Sequence, residues 1–464
     1  MSSIGSPSPF FLAGKKAYQV DRSLRFNYSD STSLNRTQST SPTNDKKGTI
    51  SFWIKRSDLG RNQHFYNVYT DANNRGFLYF RSDSESIQFT QQVGGSFEFR
   101  LRTNRLLRDV SAWYHVVIAI DTTEGTASNR IKLYLNGIEE TSFHTSDYPS
   151  QNIDVTFFNL ANVKIGTAHD NQANEYFGGY VAEFNYIDGT VLTPASFGET
   201  DAITGQWNPK KYVGSYGTNG FYLNFSDNSG TTATTLGKDS SGNGNNFTPN
   251  NFSVSAGAGN DSVEDTPTNN FCTLNPLEAT TCTYSNGNLN FSSLGNNKGA
   301  RGTFFVSSGK WYFEYTISSG TNAPSYAIVG IQRESGTLAQ GKADDGYSFW
   351  GFPAKTSDDG TTTNYWANSW SFGDVIGVAF DLDNRDIYLY KNGSLESGAA
   401  AFTNITAGSY APFIGNATTS NANHAGFLNF GQRAFIHTPP TGFKALCSAN
   451  LPDPTILLPN KHFD

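Results

Sequence analysis

Trp113-Tyr-His-Val-Val-Ile-Ala-Ile120, followed ten residues later by Ile131-Lys-Leu-Tyr-Leu-Asn-Gly137, is the stretch on which the fold turns. Both runs are rich in β-branched and aromatic side chains. The second alternates Ile131, Leu133 and Leu135 with Lys132 and Tyr134, the period of two that sends alternate side chains to opposite faces of a strand. It ends in Asn136-Gly137, a pair that tolerates positive φ at both positions and so closes a type I′ hairpin.

The same grammar extends in both directions. Upstream lie Ile50-Ser-Phe-Trp-Ile-Lys55, Gly76-Phe-Leu-Tyr-Phe-Arg81 and Ser86-Ile-Gln-Phe-Thr90; downstream come Val163-Lys-Ile-Gly166, Tyr180-Val-Ala-Glu-Phe-Asn-Tyr186 and Phe221-Tyr-Leu-Asn-Phe225. Turn formers separate the runs at short intervals, the spacing of a sandwich or jelly roll. From 226 to 270 the pattern breaks into turn-rich sequence such as Lys238-Asp-Ser-Ser-Gly-Asn-Gly-Asn-Asn-Phe247, which predicts a junction. Strands resume with Lys310-Trp-Tyr-Phe-Glu-Tyr315, Asp374-Val-Ile-Gly-Val-Ala-Phe-Asp381 and Asp386-Ile-Tyr-Leu-Tyr390, the last leading into Asn392-Gly393. The expected architecture is all-β: two tandem β-sandwiches of jelly-roll type. An extended arm is expected over 1–17, the first sandwich over 18–225, the junction over 226–270, the second sandwich over 271–447 and an extended tail over 448–464.

Composition agrees. With 464 residues the chain is long enough for more than one core. Charged residues make up only 16% and aromatics reach 14%, a balance that suits short strands and tight turns rather than long charged helices. The net charge of −7 is spread without a basic stripe, which argues against nucleic-acid binding. No run of apolar residues is long enough to span a bilayer, so no membrane insertion is expected. The N-terminus lacks the pattern of a secretory signal, so synthesis in a cytosol is expected. Three scattered cysteines, Cys272, Cys282 and Cys447, suggest reduced thiols rather than a disulfide framework or a zinc site.

Two resemblances sharpen the expectation. Leu24-Arg-Phe26, Gly48-Thr-Ile-Ser-Phe-Trp-Ile54, Trp113-Tyr-His-Val-Val117, Leu133-Tyr-Leu-Asn-Gly137 and Gly178-Gly-Tyr-Val-Ala-Glu-Phe184 resemble laminin-G-like modules of the concanavalin A-like fold. Lys310-Trp-Tyr-Phe-Glu-Tyr315, Gly373-Asp-Val-Ile-Gly-Val378, Leu389-Tyr-Lys-Asn-Gly393 and Phe427-Leu-Asn-Phe-Gly431 resemble SPRY domains. The tandem is similar to virion and tail-associated proteins of marine bacteriophages, cyanophages among them, with Ser8-Pro-Phe-Phe-Leu12 and Pro440-Thr-Gly-Phe-Lys-Ala-Leu-Cys-Ser-Ala-Asn-Leu-Pro452 as further shared stretches. That resemblance implies a virion protein assembled in the host cytoplasm, repeated as a homo-oligomer among other virion proteins. Two roles fit it: a tail-fibre or adhesin module recognising host surface glycan or protein, or a purely structural element such as a capsid decoration or tail nozzle. A glycan depolymerase is the third reading.

Residues that would carry catalysis are scarce. Glycosidases of the concanavalin A-like fold set two carboxylates across the scissile bond, usually on one strand face as Glu-x-Asp-x-(x)-Glu. That triplet does not occur, Glu139 and Glu140 are adjacent, and Glu183 occupies a position that laminin-G-like modules use structurally. His115 reads as a packed strand residue, and no enzyme activity or catalytic residue is expected. No cofactor is expected; calcium remains an alternative, because Asp71-Ala-Asn-Asn74 and Asp239-Ser-Ser-Gly-Asn-Gly-Asn245 carry hard oxygen donors. The same residues make good turns, and no metal ligand is assigned. For ligand contact, Thr363-Asn-Tyr-Trp-Ala-Asn-Ser-Trp370 offers exposed-looking rings: Tyr365 and Trp366 are the candidate binding residues, while Trp370 and Phe372 are expected in the core.

Overall fold

The period-two runs fold as strands that pair almost entirely antiparallel. The structure is a computed structural model, and it describes residues 18–169, 175–202, 204–278, 282–320, 324–338, 344–365, 368–416 and 424–452. Among these no α-helix forms. The arm 1–17 and the tail beyond 452 lie outside the described residues. The chain is all-β, as its sequence implies, and builds two sandwiches.

In the first sandwich one sheet centres on Lys47–Arg56, flanked by Trp113–Asp121 and Gly179–Asp188. The facing sheet runs through Phe143–Asp147, Ser96–Leu106, Ser86–Val93, Asn74–Phe80, Gln63–Asp71, Asn162–Ile165 and Ser33–Thr37. Between them lies a continuous apolar core that includes Phe52, Ile54, Phe80, Phe89, Ile118 and Phe184. Asn136 and Gly137 take φ of 49° and 81°, the double positive φ of the expected hairpin turn. In the second sandwich Lys310–Gly320 lies between Val375–Asp381 and His424–Asn429, and Ala327–Arg333 between Gly346–Trp350 and Tyr410–Asn416. Trp311, Phe313, Phe349, Val378 and Ile414 fill its core.

Residues 226–270 depart from the expected junction. Thr248–Asn250 adds to the first sandwich beside Ser33–Asn35, and Ser262–Val263 pairs with Ser23–Leu24. Leu236, Phe247 and Phe252 are buried in the first core. Isolated apolar residues among Asn, Gly and Ser carry no periodicity, so their burial is invisible to a pattern reading. The first sandwich therefore reaches to about the start of the crossing segment 261–271. Limited proteolysis at the exposed tip 242–244 is expected to nick the chain without separating it. The nicked protein should co-elute with the intact chain on gel filtration, and release of two free folded fragments would contradict this pairing.

Two buried ion pairs fasten the crossing segment. Lys55 Nζ lies 2.8 Å from Asp265, with both side chains at 0% exposure, and also donates to Asn270 Oδ1 and the Phe271 carbonyl. Arg25 pairs with Asp261 at 3.0 Å and donates to the Asn286 carbonyl of the second sandwich. Tyr180 OH, from the first sandwich, donates to the Gly287 carbonyl at 2.7 Å. The two sandwiches thus meet through satisfied polar contacts rather than a loose linker.

Candidate functional site

The aromatic cluster expected to bind ligand is placed otherwise. Tyr365 is only 8% exposed and packs against Phe349, with its hydroxyl 3.4 Å from the Glu396 carbonyl. Its ring is spent on the second core and offers no face to a sugar. Trp366 lies outside the described residues. Trp370 is buried as expected, but Phe372 is 45% exposed, because it sits in the turn ahead of Val375–Asp381 rather than on the strand.

The two groups with catalytic appearance are sealed. His115 lies 2.9 Å from Ser51 Oγ through Nε2, a spacing that mimics a nucleophile and its base. The indole of Trp207 can only donate, and it donates to His115 Nδ1 at 3.0 Å. The ring proton therefore sits on Nε2 and points at Ser51, so the imidazole cannot accept the serine proton. Burial pushes its imidazole down to about 3, which keeps it neutral. Glu183 sits in a bulge of Gly179–Asp188 with φ of 52°. Its carboxylate accepts from Tyr222 at 2.8 Å and Tyr18 at 2.9 Å, and burial pushes it up to about 7. Glu139 pairs with Lys132 and Glu140 with Arg105, two separate ion pairs.

In both loops with calcium-like donors the aspartate carboxylate is hydrogen-bonded within the fold. Asp239 accepts from the backbone of Tyr222, Ser241 and Asn245 and from Ser241 Oγ. Asp71 accepts from the backbone of Asn73 and Asn74. Both carboxylates are occupied in shaping turns.

A depression of about 190 Å³ on the outer face of the second sheet in the first sandwich is of another kind. Strand parity builds it: with Leu78 and Phe80 in the core, Arg75, Phe77 and Tyr79 must face outward. On the next strand Ile87 and Phe89 point in, so Thr90 and Gln92 point out. Phe97 follows at 50% exposure, a large ring with the Arg100 guanidinium over one face at 4.9 Å and the rest of it in solvent. His64 stacks on Tyr79 at 4.6 Å between centroids, and its ring nitrogens face Asn67 Oδ1 at 3.0 Å and Glu175 at 3.2 Å. That hydrogen bond holds the Glu175 carboxyl below its usual range. Arg75 lies over Phe77 at 5.2 Å and donates from Nε to Gln92 Oε1 at 2.7 Å. Ring faces beside fixed amide and guanidinium donors can take a sugar: the rings cover its C–H face and the polar groups bond its hydroxyls. The sequence showed these strands but not this site, since Phe77 and Tyr79 look no less core-like than Leu78 and Phe80.

Comparison with known proteins agrees with both sandwiches. Residues 27–196 match the Concanavalin A-like lectin/glucanases superfamily, and residues 310–433 match the SPRY domain. The chain carries a concanavalin A-like domain and a SPRY domain. Over 153 residues it is 33% identical to the E3 ubiquitin-protein ligase RKP of Arabidopsis thaliana, a match covering 32% of this chain and 11% of that protein. The SPRY domain of human HERC1 is 21% identical with a TM-score of 0.30, covering 35% of this chain and 99% of that one. The heptameric SAP-like pentraxin of Limulus polyphemus is 19% identical with a TM-score of 0.28, covering 38% of this chain and 80% of that one. The depression lies wholly within the concanavalin A-like domain.

Proposed function

We propose that this chain is a non-enzymatic recognition protein whose concanavalin A-like domain binds glycan on the Phe77–Phe97 face. The observation that carries the reading is Phe97, half exposed beside Phe77, Arg75 and Gln92 in a depression floored by a rigid sheet. A lectin-like fold supports it. The similarity of the tandem to marine phage virion proteins supports placing this face on a particle, as a tail-fibre or adhesin module repeated with other virion proteins and assembled in the host cytoplasm. Three free cysteines fit that reducing compartment. The buried ion pairs that couple the two domains favour, as a second reading, a purely structural virion element.

The protein is expected to bind host-envelope polysaccharide without a metal and without releasing reducing sugar. Phe97→Ala, at an exposed position, should leave the fold intact and weaken binding by about tenfold, the effect typical of a central aromatic contact. Titration calorimetry with and without chelator checks both points. Unchanged affinity in Phe97→Ala would remove this face from consideration, and binding abolished by chelator would require a metal.

A further inference from the structure

Four arginines project from the outer face of this sheet, and their partners differ. Arg81 and Arg102 share Asp83 at 3.0 Å each, and Arg100 pairs with Asp147 at 3.1 Å. Arg75 pairs with no carboxylate among the described residues. Among the described residues its hydrogen bonding is confined to Nε, which donates to Gln92 Oε1. That contact and the Phe77 ring beneath fix the guanidinium plane, while neither terminal nitrogen is hydrogen-bonded by a described residue in the depression. Glu175, the acid in the same depression, is held by His64.

We infer that Arg75 selects an anionic saccharide, one bearing a carboxylate such as a uronic acid. This rests on the glycan reading above and gives it a substrate class. The two terminal nitrogens of a guanidinium form a planar fork that matches a planar carboxylate with two parallel hydrogen bonds. A uronic acid ring also has an apolar C–H face, and Phe97 stands beside Arg75 to cover it. A fixed, half-buried arginine paired with no acid among the described residues has a positive charge that the ligand can balance.

The test uses the full chain and a set of uronate polysaccharides, polygalacturonate, alginate and hyaluronan, each alongside its carboxyl-reduced neutral form. At least one uronate polymer should bind about tenfold or more tightly than its reduced form, as expected for charge-assisted hydrogen bonds. Arg75→Gln should erase that preference, so that uronate and carboxyl-reduced forms bind alike, while keeping the thermal midpoint. Phe97→Ala should weaken both forms alike. Equal wild-type affinity for both forms, with Phe97→Ala still weakening each, overturns the anionic class and leaves the glycan reading standing. A preference for dextran sulfate over every uronate polymer overturns the carboxylate assignment. Binding to the set that neither Arg75→Gln nor Phe97→Ala alters overturns the site itself, as does failure of every polymer to bind.

Discussion

Lys55→Met is expected to destabilise the protein by about 3–5 kcal/mol, the cost of leaving one partner of a buried ion pair uncompensated. Asp265 would keep the Trp113 indole at 3.0 Å and the Phe271 amide at 3.3 Å but lose its ammonium while fully buried. With roughly 2–4 °C per kcal/mol for a domain of this size, the thermal midpoint should fall by about 6–20 °C. Asp265→Ala should do similar damage by stranding Lys55. The double variant Lys55→Met/Asp265→Leu should recover only part of the loss, because it removes the uncompensated charge but leaves the Trp113 indole and the Phe271 amide without their acceptor. Calorimetry reads all three. A single-variant loss below about 1 kcal/mol would mean that solvent reaches the pair, against its buried geometry. Since the contact clamps the segment between the domains, its removal should also separate their unfolding transitions.

Stability is expected to fall as pH rises through the range set by Glu183. Burial lifts its carboxyl from the usual value near 4.5 to about 7, so between those values the folded protein holds a proton that the unfolded chain has released. The folded state then binds more protons, which makes the slope of stability against pH negative. The loss begins near the lower value and is complete above about 7. At roughly 1.36 kcal/mol per pH unit it amounts to about 3 kcal/mol. Glu183→Gln keeps the size and can still accept from Tyr222, but carries no charge to desolvate. Its stability profile from pH 5 to pH 8 should run flatter than wild type and lie above it at pH 8. Parallel profiles would show that the carboxylate stays ionised throughout, its charge carried by the Tyr18 and Tyr222 hydroxyls.

Residue pattern and residue placement divide cleanly in this protein. Alternation in Ile131–Leu135, the Asn-Gly turns and the scarcity of charge determined the β class and the succession of strands, because they act over a few residues of backbone. The two motif sets marked two sandwiches for the same local reason. Burial was decided by the tertiary structure. In Arg75-Gly-Phe-Leu-Tyr-Phe80 both parities carry large apolar rings, so the sequence says which residues share a face but not which face meets water. Only the packing of Leu78 and Phe80 against the opposite sheet turns Phe77 outward, and only the second core draws Tyr365 in. Leu236 and Phe247 entered the first sandwich singly, without a period to announce them. Lys55 and Asp265 are 210 residues apart, and nothing local to either encodes the other. Short-range periodicity fixes the strand. The side on which a charge or a ring finds its partner is settled by distant segments that must fill space and satisfy every buried polar group at once.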